Sequence, residues 1–165
     1  IKESESDIIK NMVKFNDVKI RNIMTPFSVM KIASENDSIL DFYNKNPNLS
    51  FSRIPIYSDK MDNITGYVLK DNILEQIVKE KGDLSLSSIK RKSIFSNYES
   101  PIPITFDKLI KQREHISMVI DEYGTVRGLV TMEDIIETLL GREIMDETDT
   151  VKDMQDLAKE KSQRF

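Results

Sequence analysis

The 165 residues are 39% apolar and 32% charged, with a net charge of -4 and a pI near 5.2. That length suits one ordinary domain or two small ones sharing a core, and the acidic balance excludes a face built to neutralise nucleic-acid phosphates. The absence of cysteine excludes disulfides and thiol chemistry, and the single histidine, His115, excludes a multi-histidine metal site.

The stretch "KESESDIIKNMVKF" sets Ile8, Ile9, Met12 and Val13 at helical spacing behind an acidic first turn, which predicts an amphipathic helix. Pro26 in "NIMTPFSVMKIA" ends any helix, and the residues after it read as extended. Ser38 to Asn46 reads as a short helix with a Ser cap, closed by Pro47. Two β-type runs follow, "RIPIYS" and "ITGYVLK", joined by the polar turn "DKMDN". A helix is predicted from about Asp71 to Lys79, then a connecting segment over 82–97. Its basic run, Lys90-Arg91-Lys92, reads as a solvated loop.

The order then recurs. "ITFDKLIKQRE" is helical, "HISMVID" and "TVRGLVT" are β-type, and "MEDIIETLLG" carries the apolar stripe Met132, Ile135, Ile136, Leu139 and Leu140 before the stop at Gly141. Asp59 and Asp121, Gly66 and Gly128, Val68 and Val130, Ile73 and Ile135, and Glu75 and Glu137 share one offset of 62. The chain therefore reads as an internal repeat of a helix-strand-strand-helix unit, whose copies should pack together. The tail places Val151, Met154 and Leu157 on one side of a short helix, behind Glu143, Asp146, Glu147 and Asp149. That acidic run weighs more as a solvated face than as a Mg²⁺ site. No apolar run approaches the ~18 residues of a membrane span, so this piece reads as soluble. Its start at Ile1 suggests that upstream residues, a membrane segment among them, have been removed.

Thr131-Met-Glu-Asp134 stands where a strand meets a helix, and Thr-x-x-Asp before an apolar run is a capping-box pattern. Thr150 and Asp153 repeat that spacing with no ligand assigned. In the first copy the same positions are Leu69 and Asn72, which have no hydroxyl and no carboxylate to offer.

The repeat, closed by "GLVTMEDII", resembles a tandem pair of CBS domains, or Bateman module. "VKIRNIMTP", "SRIPIY", "HISMVIDEYG", "GLVTMEDIIETLLG" and "EIMDETD", in that order, are similar to the CorC/CNNM group of hemolysin-like membrane proteins linked to magnesium and other divalent-cation transport. The similarity runs over roughly residues 1 to 160. It implies an α+β fold of two CBS units, each a small three-stranded sheet with helices, packed as a pseudo-twofold pair. The implied division is a connecting helix (1–17), a first CBS domain (18–81), a linker (82–97), a second CBS domain (98–142) and an acidic tail (143–165).

Such pairs bind ATP or AMP in a cleft between copies, with Mg²⁺ arriving on the phosphates. The resemblance assigns the ribose to Thr131 and Asp134, and the adenine pocket to Thr25, Ser28, Met30, Ser52, Ile54 and Pro55. It assigns the phosphates to Arg53 and His115. An ionised aspartate accepts well from two ribose hydroxyls. Phe27, where the group often has arginine, removes one basic contact near the phosphates. One good site, in the second copy, is expected, with no metal ligands of the protein's own. The expected partners are a second copy of the chain and an upstream transmembrane domain, with this piece on the cytoplasmic side of the membrane. The alternatives are a ligand-free dimerisation module or a nucleotide hydrolase. No GxxxxGK[ST] loop and no Ser-His-Asp or Cys-His order supports the latter, so no enzyme activity is expected.

Overall fold

A computed structural model describes residues 3–141. The expectations for the acidic run and short helix of the tail lie outside them. The described elements are α1 (Glu3–Lys14), β1 (Thr25–Pro26), β2 (Ala33–Ser34), α2 (Ile39–Lys45), β3 (Arg53–Tyr57) and β4 (Ile64–Leu69). They continue with α3 (Lys70–Val78), β5 (Ile94–Asn97), α4 (Ile102–Gln112), β6 (Ile116–Ile120), β7 (Val126–Thr131) and α5 (Met132–Leu140). The chain divides into two compact units: Lys31–Ser93, and the start of the chain through Met30 together with residues from Ile94 onward.

In the Lys31–Ser93 unit, the sheet runs β2-β3-β4. Strand alternation turns Ile54, Ile56 and Val68 toward Ile39 and Phe42 of α2 and Ile73 of α3. The α2 helix starts where Ser38 Oγ accepts from the Asp41 amide, as its sequence predicts. Residues 82–97, expected as a linker, carry more than a connection. A 3-10 turn at Leu86–Ile89 buries Leu86 completely in this core, and Ile94–Asn97 forms β5 of the other unit.

The second unit has a four-stranded sheet, ordered β1-β7-β6-β5, where three strands were expected. The addition is β1, which pairs antiparallel with β7 (Thr25 opposite Leu129, Pro26 opposite Gly128). Residues 18–30, which the sequence division puts in the first CBS domain, thus fold with the second unit. Ile20 is fully buried, and Val18, Ile23 and Met24 pack on a core of Ile102, Leu109, Val119, Val130, Ile135 and Leu139. The α1 helix lies against α5, where Asn11 Nδ2 donates to the Leu139 carbonyl at 2.7 Å. Ile9 and Val13, expected on its packing stripe, are instead exposed. Asn11 reaches α5 by that hydrogen bond, and Phe15, just past the helix, packs on the core.

The repeat is real at the level of register. Arg53 pairs with Leu69 as Ile116 pairs with Thr131, and both hairpins break register at the same place, Ile56/Tyr57 and Val119/Ile120. Strands after the hairpin turns match at the offset of 62; strands before them match at 63. The loop 58–63 is one residue longer than 121–125, so Asp59 and Asp121 are not equivalent. Asp59 takes the left-handed conformation (φ 68°) inside the longer turn.

One buried group lacks a partner among the described residues. Thr105 on α4 is 1% exposed and its hydroxyl makes no hydrogen bond. An unpaired buried hydroxyl costs about 1–3 kcal/mol. Thr105→Val, which keeps the shape and removes the oxygen, should therefore raise the thermal unfolding midpoint.

Candidate functional site

Thr131 ends β7 in an extended conformation, and α5 begins at the next residue. Its Oγ1 accepts from the Asp134 amide at 3.1 Å, so the threonine is the N-cap. In the other unit α3 starts after Leu69 with no side-chain cap. A capped junction is thus not a condition for this turn to form. Thr131→Ala should cost about 0.5–2 kcal/mol, the usual worth of a cap. Thr131→Ser should retain most of it, as equilibrium urea unfolding would show.

The Asp134 carboxylate sits in the first turn of α5 and is largely removed from water. Burial pushes its carboxyl above the ordinary aspartate range, and the neighbouring charges of Glu137 and Glu133 push the same way. Hydrogen bonds from the Thr131 side chain and backbone oppose the rise without cancelling it. The site therefore holds a carboxylate that is costly to ionise and that gains from any donor brought to it.

Thr25 is fixed by the β1–β7 pairing. It lies opposite Leu129, and Thr131, two residues on, shares that face, away from core-facing Val130. Across antiparallel strands such diagonal neighbours stand ~7–8 Å apart. Ser28 follows, exposed, in a 3-10 turn (Phe27–Val29) that packs on β7, and half-buried Met30 ends the segment. Thr25, Ser28, Met30, Thr131 and Asp134 thus belong to one unit.

Sequence reasoning missed the residue that permits this. Gly128 has no positive φ to explain it. A Cβ there would collide with the Thr25 carbonyl and come within 2.9 Å of Met24 Sδ. A glycine inside a strand pattern was the available signal.

Ser52, Arg53, Ile54 and Pro55 lie in the other unit. The Ile54 side chain is 0% exposed inside its helix-packed core, and Pro55 beside it is buried too. Strand alternation turns Ile54 the opposite way from Arg53 and Pro55. His115 precedes β6 with an exposed side chain, and its Nδ1 is 3.9 Å from Glu133 Oε1. The acidic neighbour weakens its case as a phosphate contact. Among the described residues, no helix is long and apolar enough to cross a membrane, and no cluster of His, Cys, Asp and Glu could hold a metal ion.

The CBS domain family model matches residues 87–141. Hemolysin C of Brachyspira hyodysenteriae is 36% identical over 89% of this chain and 53% of its own length. Magnesium and cobalt efflux protein CorC of Escherichia coli K12 is 29% identical over 93% of this chain and 52% of its own. The chain spans about half the length of these relatives. Among solved structures, the CBS domain of a bacterial CNNM/CorC family Mg²⁺ transporter in complex with ATP superposes with a TM-score of 0.76, at 26% identity. That alignment covers 83% of this chain and 97% of that one. A CBS domain from Clostridium difficile 630 is 30% identical over 78% of this chain and 98% of its own, with a TM-score of 0.71. The chain belongs to the CBS-domain proteins, and it is similar to CorC and hemolysin C.

Proposed function

We propose that this chain is an adenine-nucleotide-binding regulatory module, acting on the cytoplasmic side of a membrane protein tied to divalent-cation transport. The observation that carries the reading is Asp134, a largely buried carboxylate in the first turn of a helix that Thr131 caps. The first copy folds without either group. A ribose would bring two further hydroxyl donors to that carboxylate. The ATP complex of the related CNNM/CorC domain supports the ligand class, and the CorC relative supports the transport setting.

Thr131 and Asp134 take the ribose in this reading, with Thr25, Ser28 and Met30 beside the adenine. Ser52 and Pro55 are further proposed contacts, Arg53 and His115 face the phosphates, and Mg²⁺ comes with ATP. AMP is the other candidate ligand. The module works as a homodimer joined to a transmembrane domain. Nucleotide bound at the start of α5 reports to α1, which packs along the same helix. Such coupling requires the nucleotide to bind two arrangements of these helices unequally.

The test is the melting temperature of the chain against ATP, ADP and AMP, with and without Mg²⁺. A ligand at a hundred times its Kd should stabilise the fold by about 2.7 kcal/mol. The reading expects such a shift, and expects Asp134→Ala to remove it. No shift with any nucleotide would leave a structural dimerisation module in its place.

A further inference from the structure

The two copies end the helix before the hairpin differently. The α2 and α4 helices start alike: Ile39 and Ile102, related by the same offset of 63 as the strands that follow, are both fully buried. From there to the hairpin the two segments are equally long, so Asn46 answers to Leu109. The α4 helix continues to Gln112 and seats Leu109, 0% exposed, in the core of its unit. The α2 helix stops at Lys45, because Asn46 precedes Pro47 and a residue before proline is steered out of the helical region. Asn46 closes the helix instead. Its amide donates to the Tyr43 carbonyl at 3.0 Å, and its Nδ2 donates to the Phe42 carbonyl at 2.9 Å. The chain then reaches β3 through the loop 46–52 rather than through a further helical turn.

A cavity of about 230 Å³ accompanies the missing turn, lined by Phe42, Tyr43, Leu49, Lys70, Ile73 and Leu74. All of these belong to the Lys31–Ser93 unit. The volume exceeds the ~150 Å³ of a cavity that admits benzene and falls short of the ~300–1,000 Å³ of drug-sized sites. It suits one ring or a short chain with a small head group. A second substitution gives the cavity its polarity. Lys70, the first residue of α3, stands where the other unit has Met132, which packs against that unit's core. The fold therefore does not require a lysine at this junction. Lys70 is half-buried, and its Nζ donates to the Leu49 carbonyl at 2.7 Å. Among the described residues, no carboxylate pairs with it. An ammonium carries three donors, and this one has a single neutral acceptor. A partly desolvated charge so placed gains from an anion brought to it.

We propose that this cavity is a binding site for a small carboxylate with an apolar body, an arylalkanoate or a short fatty acid. The body lies against Phe42, Ile73 and Leu74, and the carboxylate takes the remaining donors of Lys70. A second copy of the chain is a poorer occupant, since lysine is depleted at the centre of subunit contacts. The site shares no residue with Thr131 and Asp134, which belong to the other unit, and it does not depend on nucleotide binding there.

Amide NMR spectra of the isotope-labelled chain, recorded while phenylpropionate is titrated, test the site. Phenylpropanol, with the same body and no charge, is the matched probe. The variants are Lys70→Met, which installs the other unit's residue, and Lys70→Arg, which keeps the charge. Each is first matched to the wild type by its unfolding midpoint. The expected result is saturable shifts at Leu49, Ile73 and Leu74 with phenylpropionate, and weaker binding of phenylpropanol. Lys70→Met should weaken phenylpropionate roughly tenfold, as loss of a hydrogen bond between charged groups does, and leave phenylpropanol unchanged. Lys70→Arg should retain most of the affinity. The proposal is wrong if phenylpropionate gives no saturable shift at these residues, or if Lys70→Met leaves its affinity unchanged. Equal affinity of the two probes for the wild type overturns it without any variant. Shifts at the same amides on raising the protein concentration alone would seat a second copy there, and overturn it as well.

Discussion

Asp134→Asn is expected to make the ligand-free protein more stable at neutral pH while removing most of its affinity for nucleotide. The two effects have one origin. Burial raises the carboxyl's pKa above the ordinary aspartate value, with Glu137 and Glu133 adding to the rise. The native state thus binds more protons than the unfolded chain between the two pKa values, and wild-type stability falls as pH rises through that window. Asparagine carries no charge and should abolish this slope. The stability gap between variant and wild type should open from acid toward neutral pH, in denaturant titrations at a series of pH values. On the binding side, hydrogen bonds to an ionised group contribute about 1.5–3 kcal/mol each, so nucleotide affinity should drop by roughly tenfold or more. A residue kept only for folding would show the opposite pattern, with stability lost on substitution.

Gly128→Val should disturb the same site from the other side. Its first methyl-bearing carbon has no room beside the Thr25 carbonyl and Met24, so β1 must lift away from β7. Overpacking of this kind costs about 1–3 kcal/mol, visible as a lower urea midpoint with an unchanged slope. Thr25 moves with β1, and nucleotide binding should weaken beyond what the stability loss explains. Gly66→Val is the matched control. It meets the Arg91 carbonyl and Lys90 in the other unit, should cost a similar amount, and should leave Asp134's environment intact. Equal effects of the two variants on nucleotide affinity would argue that Thr25 has no place in the site.

These effects rest on features that were unequally visible in the sequence. The helices α4 and α5 and both hairpins follow from apolar periodicity and turn residues, and the offset of 62 exposed the repeat. The Thr131/Asp134 junction was legible for the same reason, since a cap, a strand end and an apolar stripe all coincide there. What sequence did not show was which strand lies beside which. The β1 strand has two residues and no periodicity to read, yet pairing with β7 moves residues 18–30 into the second unit. The same kind of non-local pairing pins Arg91 and turns an apparent loop into a sheet edge. That the Ile54 side chain faces the helices was not legible, because a strand buried at Ile54, Pro55 and Ile56 gives no alternation to say which side chains meet them. Asp59 was misaligned because one extra loop residue leaves the flanking pattern nearly unchanged.

In the proposed function, Asp134 is held for a nucleotide. Isothermal titration of the chain with ATP, beside Asp134→Ala, tests it most directly. One ATP per chain is expected for the wild type, with loss of that binding in the variant. Two equivalent sites per chain, or a single site that Asp134→Ala leaves unchanged, would contradict it.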